Sequence, residues 1–223
     1  MTSSLRSLYH MLLYSCLYRF RLHRRVVTHV SGFELLIKPT VIHPGIFKSG
    51  ELFARFLSRS DLRGLQVLDM GTGSGILALA AARQGAHVTA VDINLEAVQC
   101  AVENARRNGF AGSINIFEGD LFVPLTGQTY DMIVFNPPYL SGARDSRYSV
   151  ALHAGEDLAV IQRFASVADR FLNRDGSLLM ISSTDSPLDR FLEIFRERGY
   201  SHELLERIKI PFEEFLIFRF TLQ

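Results

Sequence analysis

With 223 residues, 48% of them hydrophobic and 21% charged, the chain has an ordinary globular composition and is long enough to bury one sizeable core. Lysine plus arginine total 24 against 23 acidic residues, a formal net charge of +1, which argues against both a strongly basic nucleic-acid binder and an acid-rich disordered chain. The only cysteines, Cys16 and Cys100, leave no disulfide framework and no Cys-x-x-Cys metal site, so a reducing cytoplasm is the compartment expected by default.

The first acidic residue is Glu34. Before it, Arg6, Arg19, Arg21, Arg24 and Arg25 lie around an apolar run from Leu8 to Tyr18, which predicts a helix whose apolar face packs on the domain while the arginines stay wet. A transit peptide or an interfacial helix has the same Arg-bearing, acid-free character. No stretch reaches the roughly 18 to 20 apolar residues that span a bilayer, so stable membrane insertion is not expected. Val26 to Val30 and Phe33 to Lys38 read as a hairpin around Ser31-Gly32, and Pro39, Pro44 and Gly45 then break the chain before a helical spacing from Ile46 to Leu57.

From Leu65 the pattern alternates. Strands are expected at Gln66 to Met70, His87 to Val91, Ile114 to Phe117, Met132 to Phe135 and Ser177 to Ile181. Helices are expected at Ile76 to Arg83, Leu95 to Arg107, Leu158 to Phe171 and Leu188 to Arg198, with two short closing strands at Ile208 to Ile210 and Phe215 to Thr221. Strands alternating with helices make βαβ units and a mainly parallel sheet with right-handed crossovers. Ligands of such a sheet bind beyond the carboxyl ends of its strands, so the residues after Met70, Val91, Phe117 and Phe135 are where chemistry is sought.

The first of these ends reads Asp69-Met70-Gly71-Thr72-Gly73-Ser74-Gly75. Alternating glycines let the backbone bend tightly and let a ligand approach the main chain without a Cβ in the way. The second ends in Asp92, with Ile93 after it, about 20 residues past the first glycine, where a carboxylate accepts the hydroxyls of a nucleoside ribose. After the third come Asp120, able to accept an exocyclic amine of adenine, and Leu121, an apolar face for the ring. The fourth runs into Asn136-Pro137-Pro138-Tyr139. Two prolines fix the bend and present the Pro137 carbonyl, Asn136 places a side-chain carbonyl beside it, and Tyr139 offers a flat wall. The product is a slot for a planar –NH₂ group.

Other chemistries lack their residues. Ile76 stands where a dinucleotide fingerprint needs its third glycine, no Gly-Lys-Ser/Thr follows for a P-loop, and there is no Gly-x-Ser-x-Gly elbow. The seven histidines form neither His-x-His nor His-Glu-x-x-His, so no metal is expected.

Taken in this order, Asp69 to Gly75, Asp92, Asp120 and Asn136 to Tyr139 resemble class I S-adenosylmethionine-dependent methyltransferases of the Asn-Pro-Pro-Tyr branch, which modifies amide or nucleobase nitrogens. Asp120 to Leu140 looks closest to HemK/PrmC-like glutamine methyltransferases. The segment from Ala151 to Asp157 is similar to that family's Ala-Leu-x-Gly-Gly-x-Asp-Gly loop, with Ala154 in place of its first glycine and Leu158 in place of its last. Pro44-Gly45-Ile46-Phe47 resembles the Pro-Gly-Val-Phe segment of small-subunit rRNA guanine-N2 methyltransferases. The resemblance implies an α/β, Rossmann-like, doubly wound sheet of seven strands, six parallel and the last antiparallel, over residues 41–223, with residues 1–40 as a helix-and-hairpin extension.

It also implies S-adenosylmethionine as cofactor, held by Asp69, Gly71, Thr72, Gly73, Ser74, Gly75, Asp92, Ile93, Asp120, Leu121 and Asn136. Catalysis then falls to Asn136, Pro137 and Tyr139, with Pro138 completing the acceptor slot. The acceptor expected first is a glutamine of a translation factor. A guanine-N2 or adenine-N6 amine of rRNA or tRNA is the alternative, and a non-catalytic cofactor-binding module is the second.

Overall fold

The structure, a computed structural model, describes residues 24–138, 140–141, 153–211 and 213–223, with backbone alone at 140–141 and 153–156. The helix expected from Leu8 to Tyr18 and the side chain of Tyr139 lie outside the described residues.

Strands β1 (Val26–Val30) and β2 (Phe33–Ile37) form the expected hairpin. Its two-residue turn has φ of 51° at Ser31 and 80° at Gly32, the doubly left-handed geometry that matches the twist of a tight hairpin. After the Pro44-Gly45 break, α1 (Lys48–Leu57) starts two residues later than expected. Backbone N–H groups of Ile46 and Phe47 both turn back on the His43 carbonyl and delay it.

The main sheet is built from β3 (Gln66–Met70), β4 (His87–Asp92), β5 (Ile114–Glu118), β6 (Tyr130–Phe135), β9 (Leu172–Ser183), β10 (Tyr200–Ile210) and β11 (Glu213–Leu222), ordered β10-β11-β9-β6-β3-β4-β5. β11 alone runs opposite to the other six strands, as expected of the closing strand. Between them lie α2 (Ile76–Arg83), α3 (Leu95–Arg107), α4 (Ala159–Ala165) and α5 (Leu188–Arg196), and a two-residue strand β7 (Leu140–Ser141) pairs with β8 (His153–Gly155).

Alternate residues of each central strand enter different cores, because side chains of a strand point to opposite faces. Val67, Val134, Leu179 and Ile217 face α1, α2 and α3, while Leu68, Ile133, Met180 and Phe218 face α4 and α5. Both faces are covered, which is why the strands read as near-continuous apolar runs. Hairpin residues Val30, Phe33, Leu35 and Ile37 belong to the first of these cores.

Three expected elements come out differently. The closing strand expected at Ile208 to Ile210 is eleven residues long, from Tyr200. Its polar residues, among them Glu203, Glu206, Arg207 and Lys209, mask it from an apolar scan, but they suit a sheet edge, where charge deters further pairing. Strand β9 likewise extends back to Leu172 through polar residues, and Gly176 is needed there because a Cβ would lie 2.9 Å from the Tyr130 carbonyl. The helix expected from Leu158 to Phe171 is broken into α4 flanked by 3₁₀ turns. Asp157 and Leu158 are left-handed, at φ 47° and 56°, and the Ser166 hydroxyl bonds back to the Arg163 carbonyl at the far end.

No helix of the described residues is long and apolar enough to cross a membrane.

Candidate active site

The register of the sheet aligns four strand ends. Met70 sits opposite Val91 and Phe135, and Asp92 opposite Glu118. Gly71, Asp92, Gly119 and Asn136 therefore leave the sheet side by side. Strands β4 and β5 are added on one flank of β3 while β6 and β9 lie on the other, so the row lies at the point where the winding reverses.

Gly71, Gly73 and Gly75 all have left-handed backbones, with φ of 66°, 55° and 81°. Each is needed for a different reason. A Cβ on Gly71 would press on the Phe135 ring at 3.2 Å, and one on Gly75 would meet Ala101 of α3 at 3.1 Å. At Gly73 a Cβ would meet nothing closer than the Gly71 carbonyl at 4.0 Å, so this glycine lies under open space. The loop is packed from both sides and bare in the middle.

Asp69 is fully buried beneath it. Its Oδ2 accepts the Thr72 hydroxyl at 2.6 Å and the Ala78 N–H at 3.0 Å, capping α2 from the preceding strand where Gly75 has no side chain to do so. Oδ1 is buried without a partner among the described residues. Desolvation, opposed by these two hydrogen bonds, pushes the carboxyl up to about 7. The unfolded chain releases this proton near 3.8 and the folded chain near 7, so between them the native state holds the extra proton and stability falls as pH rises. The full span is on the order of 4 kcal/mol. Urea denaturation from pH 4 to 8 is expected to show a flatter pH dependence in Asp69→Asn than in wild type over this window; parallel curves would mean that Asp69 ionises normally.

Asp92 is held at both oxygens. Oδ2 accepts the Gly73 N–H at 2.8 Å and Oδ1 the Asn94 N–H at 2.9 Å. Burial raises its pKa while these N–H groups oppose the rise. Asn94, which the sequence reading passed over, caps α3 through Oδ1 and grips the Thr40 carbonyl and hydroxyl through Nδ2. Ile93 is 54% exposed beside this carboxylate, an apolar side chain left in the open. Across the row, Asp120 Oδ2 accepts from the Arg163 guanidinium at 2.7 Å, and Leu121 is left-handed at φ 50° and packs partly against the second core.

Asn136 leaves β6 towards the start of α1. Its Nδ2 donates to Ser49 Oγ at 3.1 Å, and its Oδ1 is buried with no hydrogen-bond partner among the described residues. Pro137 is buried and Pro138 half-buried. Ser49 was not singled out from the sequence, because it stands 87 residues from Asn136 and nothing local marks it.

The glycine turn, the strand-end carboxylate and the Asn-Pro-Pro bend on a seven-stranded sheet with an antiparallel closing strand define a class I methyltransferase. The chain belongs to the methyltransferase small domain family, whose model matches residues 41–203. A Methanocaldococcus jannaschii protein, named without a settled activity as a protein N5-glutamine methyltransferase, is 31% identical over 86% of this chain and 97% of its own length. The release factor glutamine methyltransferase of Geobacter sulfurreducens is also 31% identical, over 76% of this chain but only 62% of its own length. Among solved structures, the 16S rRNA N2 methyltransferase of T. thermophilus, in complex with AdoMet and guanosine, superposes with a TM-score of 0.67 at 23% identity, covering 90% of this chain and 50% of that one.

Proposed function

We propose that the chain is a protein glutamine N5-methyltransferase that draws its methyl group from S-adenosylmethionine and acts on a translation factor in the cytoplasm. The observation that carries this reading is Asn136, a half-buried residue whose amide nitrogen is committed to Ser49 and whose buried oxygen has no partner among the described residues. A buried acceptor without a donor costs about 1 to 3 kcal/mol, and an incoming N–H removes that cost.

The residues fit the cofactor. A carboxylate offers about four lone-pair directions; the Gly73 and Asn94 N–H groups take one on each oxygen of Asp92 and the Ile93 N–H faces the same group, leaving room for a ribose hydroxyl. Exposed Ile93 and half-buried Leu121 supply apolar surface for a purine, and Asp120 keeps one oxygen beyond its bond to Arg163. The open space over Gly73 admits a close backbone contact, and Asp69, Thr72, Ser74 and Gly75 hold that backbone in place. Bound S-adenosylmethionine supplies an electrophilic methyl on a sulfonium.

The protein's part is alignment. An amide nitrogen is a poor nucleophile because its lone pair is delocalised. Asn136 Oδ1 and the Pro137 carbonyl would accept its two N–H groups and hold it while it turns tetrahedral. Both contacts strengthen as positive charge develops on nitrogen, which favours the transition state over the ground state. The proton leaves after transfer, so no general base is required. Ser49 orients Asn136, and Ser49→Ala should lower kcat about fivefold, the scale of one neutral hydrogen bond, with S-adenosylhomocysteine affinity unchanged in calorimetry. A loss of affinity without a loss of rate would place Ser49 at the cofactor instead.

Incubation of the purified protein with methyl-labelled S-adenosylmethionine and a cell extract tests the acceptor. Label removed by protease and retained through ribonuclease, mapping to a glutamine side chain by mass spectrometry, is the expected result. Label lost to ribonuclease would move the activity to a nucleobase amine.

A further inference from the structure

Helix α3 and its C-cap carry two asparagines four residues apart on the hairpin-facing side, Asn104 and Asn108. Asn104 is fully buried, accepts the Leu36 N–H at 2.7 Å and donates to the Leu36 carbonyl at 2.9 Å. One turn on, Asn108 repeats the pattern on Glu34, accepting its N–H at 3.1 Å and donating to its carbonyl at 2.8 Å. Four residues of helix rise about 6 Å and two residues of strand about 6.7 Å, so the two side chains match alternate residues of the β2 edge. Their amides stand in for a neighbouring strand.

The two rungs differ in one respect. The second amide hydrogen of Asn104 goes to the Ser74 carbonyl at 2.8 Å, inside the glycine loop, whereas that of Asn108 returns to its own helix at the Asn104 carbonyl. The Ser74 carbonyl belongs to the peptide between Ser74 and Gly75, and Gly75 is the residue wedged against Ala101, three positions before Asn104 on the same helix. So α3 grips the back of the loop twice, by van der Waals contact and by a buried hydrogen bond. On the other face of the same turn, Gly73 donates to Asp92.

We infer that Asn104 is a positioning residue for the cofactor loop, holding the Ser74–Gly75 peptide so that Gly73 meets its ligand, while Asn108 serves the hairpin alone. This rests on the reading that the glycine loop binds S-adenosylmethionine. The pair supplies its own control, since both substitutions to alanine remove a rung from β2 but only one releases the loop.

The test is calorimetric titration of S-adenosylhomocysteine into the full chain as wild type, Asn104→Ala and Asn108→Ala, with folding checked by thermal denaturation. Both variants should melt earlier than wild type. Asn104→Ala should weaken binding roughly tenfold, the scale of one buried carbonyl left without its donor, while Asn108→Ala stays within about twofold. Equal affinities in the two variants, or wild-type affinity in a folded Asn104→Ala, would overturn the inference. A wild-type chain that binds no S-adenosylhomocysteine would overturn the cofactor reading beneath it. Should Asn104→Ala fail to fold, amide exchange of the wild type asks the same question: the ligand should slow Leu36 more than Glu34, and equal slowing would count against the loop role.

Discussion

Asn136→Ala is expected to cut kcat by about 10² to 10³, the range seen when one oriented polar contact to a transition state is lost. Affinity for S-adenosylhomocysteine should fall far less, because the glycine loop and Asp92 lie on other strands and do not depend on this amide. The structure makes Asn136→Asp the sharper variant. It keeps the size of the side chain and an acceptor, but it loses the Nδ2 donor to Ser49 and introduces a charge. A carboxylate free to rotate, or drawn to the Ser49 hydroxyl, no longer holds one oxygen in a fixed place. Steady-state kinetics and calorimetry on both variants separate the outcomes. Turnover at the wild-type rate would remove Asn136 from catalysis, and equal losses of rate and affinity would make it mainly a cofactor contact.

Asp92→Ala should weaken S-adenosylhomocysteine binding by about 1.5 to 3 kcal/mol, the worth of hydrogen bonds to a charged group. Two causes act together. On the proposed reading the variant loses the acceptors for the ligand hydroxyls, and it frees the Gly73 and Asn94 N–H groups that Asp92 holds at 2.8 and 2.9 Å. Asp92→Asn separates them, since its single oxygen can hold only one of those N–H groups. Its affinity should therefore lie between wild type and alanine. Unchanged affinity in a folded alanine variant would show that the ligand hydroxyls go elsewhere.

The residues of the candidate site were legible wherever the signal is local. A glycine at every second position after an apolar strand announces a tight, ligand-facing turn, and consecutive prolines after another announce a rigid bend. An acid directly at a strand tip could be assigned to the same end of the sheet by topology alone. The tip of the hairpin was equally plain, since Ser31-Gly32 sits between two alternating apolar runs.

What escaped was either polar or remote. Strand β10 carries charge along most of its length and is a strand only because β11 pairs with it through a bulge near Leu204. The breaks on either side of α4 depend on a left-handed Leu158 that is nonetheless buried before it and on a serine bonding back to its own helix after it. Ser49, Asn94 and Asn104 are ordinary polar residues in the sequence. Each acquires a role through a partner far along the chain: Asn136 for Ser49, Thr40 for Asn94, and Leu36 and Ser74 for Asn104.

The sequence by itself determined the layered α/β architecture, the end of the sheet where the candidate site lies, and the residue types presented there. Periodicity and turn chemistry are properties of neighbours in the chain, so they can be read without coordinates. Only the tertiary structure decided which oxygen of Asp69 is left over, that the Asn136 amide oxygen has no donor among the described residues, and which helix grips the glycine loop. Hydrogen-bond satisfaction is a property of neighbours in space, and a donor 87 or 30 residues away leaves no periodic trace.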